Sequence, residues 1–521
     1  MHDRPSEEDG LAKRWRWRVS SADDEPLVQH TIATLRCPES DSVEVLKSNP
    51  ARTVMSLAGD IPVIVKRYNV RTAGECLKHI VAPSKAAAAF RAFRLCAEKA
   101  IPVSQILAWG EDRSGALLRR SCIIERRIDN AVPLGEYIAD HFSGAAGGRR
   151  ASIMQAVGSL LAEIHAAGLS HPDFHPGNIL VRWTASGEPE LFVVDLHPVR
   201  RLRLLRSRRR VKDIAKLYHS LRPVAQDDDL KELLAAYSEA AGPFRVPEAR
   251  IARLARKLES TRLRSRTKRC VKQSSQFTKE RVNGLTVYRR RDWPTDELQA
   301  ALREHEEART LRDARLVKES RKSWVTVVPC SARRYSEKLV VKEPRLRVSF
   351  KGRRGTVNIL RMRRAWIAAN AFTVRGFSVP QHLALVEKRF LGIPRRAWLV
   401  SRYLQNAPDL DRYLESHPDL PSGFLNQLAG TVSKLFRSGI YHNDLSGKNI
   451  LIIERPKDQW EFHFLDLESV TLWRRLTARR KSNNIAQIDR SLRAWCSPQQ
   501  REYFFSRMSP QPSHALDRGR G

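Results

Sequence analysis

Apolar and polar positions follow two periods along the chain, and the change from one to the other marks out its elements. Val54-Met55-Ser56-Leu57 and Pro62-Val63-Ile64-Val65-Lys66 are short β-rich runs separated by Gly59-Asp60, the pattern of two strands joined by a tight turn. The alanine-rich stretch from Lys85 to Lys99 predicts a helix. Further on, Met154, Val157, Leu160, Leu161 and Ile164 recur at helical spacing, and Gly168 ends that helix as a C-cap. Asn178 then opens a strand, Ile179-Leu180-Val181, and Leu191-Phe192-Val193-Val194 makes a second that ends at Asp195. Strands come first, then helices with a hairpin carrying polar residues. The expected class is therefore α+β, with a small β-rich lobe and a larger helical one.

The same order returns. Leu425, Leu428, Val432 and Leu435 repeat the helical spacing, and Gly439 repeats the cap. The run His171-Pro172-Asp173-Phe174-His175-Pro176-Gly177-Asn178-Ile179-Leu180 answers to His442-Asn443-Asp444-Leu445-Ser446-Gly447-Lys448-Asn449-Ile450-Leu451, with every matched position 271 residues apart. That offset holds downstream, where Val194-Asp195-Leu196 meets Leu465-Asp466-Leu467. It also holds upstream, where Thr53-Val54 meets Trp324-Val325. In between it becomes 276, matching Val63-Ile64-Val65-Lys66 to Leu339-Val340-Val341-Lys342, as a five-residue loop insertion would do. Ordered blocks at nearly one spacing predict a tandem duplication. The expected organisation is a disordered N-terminus over 1–30, one domain over 31–265, a second over 266–508 and a disordered tail over 509–521. The join falls in the basic run from Arg250 to Lys279.

Composition narrows the function classes. The chain has 521 residues, enough for two to four ordinary cores. No apolar stretch approaches the roughly 18 residues of a membrane span. Lys and Arg number 93 against 57 Asp and Glu, a net charge of +36, which predicts an anionic partner. Seven scattered cysteines without a CxxC pair argue against a disulfide framework or a structural zinc site.

Helix, His-x-Asp-x-x-x-x-Asn, hairpin and apolar strand ending in Asp form the layout of a kinase active site. Phosphoryl transfer needs a carboxylate beside the attacking hydroxyl, the place of Asp173 or Asp444. It needs Mg²⁺ held by oxygen ligands, which Asn178 with Asp195, and Asn449 with Asp466, supply. A cation for the non-reacting ATP phosphates comes from Lys66 or Lys342, each near the end of a small-lobe strand. His171 and His442 are expected to orient the loop rather than to move protons. The fold expected from these motifs is two tandem protein-kinase-like bilobal domains.

Taken with Val194-Asp195-Leu196-His197-Pro198-Val199-Arg200 and Val211-Lys212-Asp213-Ile214-Ala215-Lys216-Leu217, the first His-x-Asp block resembles the lipopolysaccharide core kinase family (the Kdo/heptose kinase type). In the second half, Arg363-Arg364-Ala365-Trp366, Gly376-Phe377-Ser378-Val379-Pro380 and Ala384-Leu385-Val386-Glu387 are similar to that family's small-lobe helix and following strand. The resemblance spans roughly residues 40 to 500. It implies ATP- and Mg²⁺-dependent phosphorylation of an inner-core sugar hydroxyl at the cytoplasmic face of the inner membrane. It thus implies lipopolysaccharide core or another anionic glycolipid, and an anionic membrane surface, as partners.

This sequence departs from the kinase pattern in several places. No GxGxxG precedes either lysine; Ser48-Asn49-Pro50-Ala51-Arg52 and Glu319-Ser320-Arg321-Lys322-Ser323 stand there, a basic hairpin without glycine. Ala89 and Ala365 occupy the place of the glutamate that usually pairs with the lysine, leaving the orientation of Lys66 and Lys342 unexplained. Asp195-Leu196-His197 and Asp466-Leu467-Glu468 replace Asp-Phe-Gly, and Asp213 becomes Asn484 at a position read as structural. Lys448 reads first as an exposed loop lysine, second as a contact to the transferred phosphate. Arginine runs after both strand-ending aspartates, Arg200–Arg210 and Trp473–Lys481, are placed on the acceptor side of the cleft. Low aromatic content and the lack of a stacking or zinc-finger motif make nucleic acid an unlikely partner. Two alternatives stay open: a protein or small-molecule kinase of the same fold, and a pseudokinase scaffold in which one or both halves do not transfer phosphate.

Overall fold

The computed structural model describes residues 15–35, 43–141, 147–202, 206–222, 224–242, 244–320, 322–330, 338–345, 353–391, 393–421, 423–473 and 475–508. The chain divides into two compact units, 1–259 and 260–521. The helix Glu248–Thr267 runs through the division.

In the first unit, six antiparallel strands form one sheet in the spatial order Trp15–Val19, Ile106–Ser114, Leu117–Arg126, Val63–Asn69, Arg52–Leu57 and Val43–Asn49. The expected hairpin is present, with Met55 opposite Val65 and Val54 opposite Lys66. The alanine-rich helix runs Lys85–Ala97, with the Ser84 side chain accepting from the amide of Ala87 as its N-cap. Its small residues Ala86, Ala89 and Ala92 are buried, so the helix backbone lies close to the sheet. Below the sheet, Gly147–Ala166 buries Met154, Val157, Leu161 and Ile164 in the helical core. Gly168 follows at φ +71, a left-handed conformation that costs a residue without Cβ nothing. The hairpin Ile179–Trp183 and Pro189–Val193 then delivers Asn178 at its start and Asp195 just past its end.

The second unit repeats this plan with seven strands, ordered Phe277–Val282, Leu285–Arg290, His382–Phe390, Ile393–Arg402, Lys338–Pro344, Ser323–Pro329 and Leu316–Glu319. Arg353–Val374 is its small-lobe helix, and Phe424–Arg437 its central helix, ending before Gly439 at φ +70. The hairpin Ile450–Arg455 and Gln459–Phe464 carries Asn449 and Asp466 at its two ends.

One expectation fails. Disorder over 1–30 does not hold for 15–30: Trp15–Val19 pairs with Ile106–Ser114, and Glu25–Thr34 is a helix that buries Val28, Thr31 and Ile32. The strand alternates half-buried and exposed positions, with Trp15, Trp17 and Val19 on the covered side, and this two-residue period is short enough to miss in a charged context. Residues 1–14 and the tail 509–521 lie outside the described residues. Among the described residues, no helix is long and apolar enough to cross a membrane.

Candidate active sites

The second unit brings its lysine, both aspartates and its asparagine to one cleft, whereas in the first unit the space around Lys66 and Asp195 is not lined by Asp173 or Asn178. In the second unit, the loop after Ile440–Tyr441 is organised from behind by His442. Its Nδ1 accepts the amide of Asp444 at 3.3 Å, and its Nε2 donates to the carbonyl of Leu465 at 2.8 Å. Burial pushes the His442 pKa down, so the ring is neutral near pH 7 and serves as a bracket, the role expected from sequence. Asn484 is wholly buried and its amide donates to the carbonyl of His442, which makes that position structural. Its counterpart Asp213, equally buried, accepts from Ser170 Oγ at 2.5 Å and faces Arg209 at 3.4 Å.

Asn449 donates Nδ2 to the Asp444 carbonyl at 3.0 Å and to its carboxylate at 3.0 Å. The amide oxygen of Asn449 is thereby turned away from Asp444. Lys342 reaches Asp466 Oδ1 at 3.3 Å and also pairs with Glu468. Burial works to discharge Lys342, but Glu468 and then Asp466 outweigh it and hold its pKa above the usual lysine value. These groups line a cleft of about 860 Å³. Lys318, Lys322 and Ser323 from the glycine-free hairpin line it too, as do Ala365 and the exposed Lys448. The donor set, an amide oxygen and one or two carboxylates beside room for phosphates, fits Mg²⁺, which keeps several waters and takes few protein ligands.

The first unit has the same parts in a tighter arrangement. Asn178 donates to the Asp173 carbonyl at 2.9 Å, and the Asp173 amide donates to His171 Nδ1 at 3.2 Å. Burial pushes His171 down to about 4. Lys66 is paired with Glu125 at 2.5 Å. Asp195 holds Arg52 at 2.9 Å on Oδ2 and His197 at 2.8 Å on Oδ1. Around Lys66 and Asp195 the free space is about 10 Å³.

The partners of the two lysines were not legible from the usual helix position, where Ala89 and Ala365 do stand. In the first unit the carboxylate comes instead from Glu125 on the neighbouring strand; in the second it comes from Asp466 and Glu468. A signal existed: Glu125 directly follows the apolar run Cys122-Ile123-Ile124 and is buried with it. The arginine runs are only partly free charge. Arg209 serves Ser170 and Asp213, Arg210 covers the Phe244 ring and Arg480 covers the Trp473 ring. Arg203 and Arg474 lie outside the described residues.

Comparison with known proteins gives a consistent picture. The model of the lipopolysaccharide kinase (Kdo/WaaP) family matches twice, over residues 62–237 and 307–507. The lipopolysaccharide core heptose(I) kinase WaaP of Escherichia coli is 30% identical over 118 residues, covering 22% of this chain and 44% of that protein. The 3-deoxy-D-manno-octulosonic acid kinase of Xanthomonas oryzae pv. oryzae (strain PXO99A) is 32% identical over 162 residues, 30% of this chain and 60% of that one. The chain thus spans about half the length of these curated relatives. A solved structure of WaaP in complex with acyl carrier protein aligns with 47% of this chain and 98% of its own, at 20% identity and a TM-score of 0.36. With the family model matching in both units and over more than half of the residues, the chain belongs to the lipopolysaccharide kinase (Kdo/WaaP) family.

Proposed function

We propose that this protein is an ATP- and Mg²⁺-dependent phosphotransferase that phosphorylates a sugar hydroxyl, Kdo or heptose, of the lipopolysaccharide inner core. We take its two units as a tandem duplication of one protein-kinase-like bilobal domain. The observation that carries this reading is the convergence of Asp444, Asn449, Asp466 and Lys342 on one open cleft of about 860 Å³. Lys342, with Lys318 and Lys322 of the basic hairpin, would hold the phosphates of ATP in this cleft. Asn449 and Asp466 would hold Mg²⁺, which would supply charge neutralisation on the phosphate oxygens. Asp444 accepts the proton of the acceptor hydroxyl, and Asn449 fixes its carboxylate for that purpose. The curated relatives are named for heptose and Kdo, which supports an inner-core sugar over a protein acceptor.

Exposed arginines and the exposed Leu472 and Trp473 beside this cleft suit an anionic glycolipid at the inner face of the inner membrane. Incubation with labelled ATP and deacylated core oligosaccharide tests the acceptor. Label on the sugar is expected. Label confined to generic protein substrates would replace the sugar reading with a protein kinase, and no label on any acceptor while ADP still binds would leave a scaffold.

A further inference from the structure

Three side chains distinguish the two clefts, and all three act in one direction. The pairing of Lys66 with Ile123, and of Lys342 with Leu399, sets Glu125 level with Ser401 two residues along the next strand. The spacing of 271 sets Arg52 against Ser323 and His197 against Glu468. In the second unit all three counterparts, Ser323, Ser401 and Glu468, line the open cleft. In the first unit Glu125 captures Lys66, while Arg52 and His197 each occupy one oxygen of Asp195.

Space and charge both follow. A volume of about 10 Å³ holds at most one water, whereas ligand pockets run from about 300 to 1,000 Å³. The side chains of Lys66 and Glu125 are 11% and 10% exposed, and that of Asp195 is 14%, so their ion pairs are poorly screened and costly to separate. With Arg52 on one oxygen of Asp195 and His197 on the other, the Arg52 guanidinium stands where a metal ion would bring its positive charge. Asp466, by contrast, is 46% exposed, with Lys342 no closer than 3.3 Å. Replacing Arg52 by Ser and His197 by Glu at the equivalent places leaves that carboxylate open to a cation.

We propose that nucleotide binds in the second unit alone, and that the first unit's cleft is closed by its own ion pairs, Lys66–Glu125 and Arg52–Asp195–His197. This assignment rests on the kinase reading above. The first unit then has a share in the molecule other than phosphoryl transfer, and the chain carries one ATP site rather than two.

Equilibrium dialysis of the full chain against labelled ADP with MgCl₂ reads the number of sites. One ADP per chain is expected, with affinity falling by about ten-fold or more in Lys342→Ala/Asp466→Asn. Opening the first unit with Arg52→Ser/Glu125→Ser/His197→Glu is expected to raise the count to two, with a thermal melt showing that the variant is folded. Two ADP per chain in the unaltered protein overturns the assignment while leaving the kinase reading intact. So does a single site that survives Lys342→Ala/Asp466→Asn. A folded triple variant that stays at one overturns the claim that these side chains form the plug. No ADP bound at all overturns both the assignment and the kinase reading.

Discussion

Asp444 is exposed at the mouth of the second cleft, with its amide anchored on His442 and its carboxylate oriented by Asn449. Proton acceptance by a positioned carboxylate contributes about 10²–10⁴-fold in rate. Asp444→Ala should lower transfer to core oligosaccharide by about that factor, with ADP affinity kept, as initial rates and dialysis will read separately. Gly447 is a second residue-scale constraint. A Cβ there would collide with the Asp411 carboxylate and stand 2.9 Å from Ser491 Oγ, which accepts the Gly447 amide at 2.8 Å. Gly447→Ala should destabilise the second unit by about 1–3 kcal/mol, through displaced partners rather than lost contacts. Denaturant titration followed by tryptophan fluorescence measures it.

At the scale of elements, the site depends on what stands behind it. The helix Ala478–Trp495 reaches the His-x-Asp loop through Asn484, which donates to the His442 carbonyl, and through Gln487, which donates to the Asn443 carbonyl at 2.7 Å. Asn484→Leu leaves the His442 carbonyl buried without that donor, a loss of about 1–3 kcal/mol. It should lower kcat more than it raises the KM for ATP, because Asp444 moves while Lys342, on its own strand, does not. The edge strand Trp15–Val19 plays a different part: it covers Ile106–Ser114 with five paired residues and lays Trp17 over Gly110. Removal of residues 1–19 bares that strand edge and should lower the melting temperature and promote self-association, visible by light scattering.

Over the whole molecule, pH acts through histidines that the fold keeps uncharged. Burial pushes both His171 and His382 down to about 4, against about 6.5 in an unfolded chain. Between those values the unfolded chain binds more protons than the folded one. Their contribution to stability is therefore complete above about pH 6.5 and is lost as pH falls toward 4. Urea midpoints measured from pH 7.5 to 4.5 should fall over that window, and His382→Gln should flatten the fall. The net charge of +36 gives a second whole-molecule expectation. Adsorption to vesicles containing phosphatidylglycerol should weaken steeply between 50 and 500 mM salt, since exposed charges more than about 8–10 Å apart are screened at physiological ionic strength.

Much of this was written in one dimension. The helix ending at Gly168 or Gly439, the hairpin that starts at Asn178 or Asn449, and the strand that ends at Asp195 or Asp466 are local patterns of periodicity and turn chemistry. Their return at a fixed spacing predicted a tandem duplication. Those patterns also named Lys66, Lys342, Asp173 and Asp444, because the chemistry of phosphoryl transfer demands those residue types in that order. Which carboxylate each lysine would meet was not local. Glu125 reaches Lys66 only because two strands 59 residues apart lie side by side, and Arg52 reaches Asp195 across 143 residues. No spacing rule encodes such meetings: they depend on strand register and on which side chain points inward. The sequence alone thus determined one motif order repeated at a fixed spacing, and only the tertiary structure decided which carboxylate each lysine meets and that about 860 Å³ stands free beside Lys342 but about 10 Å³ beside Lys66.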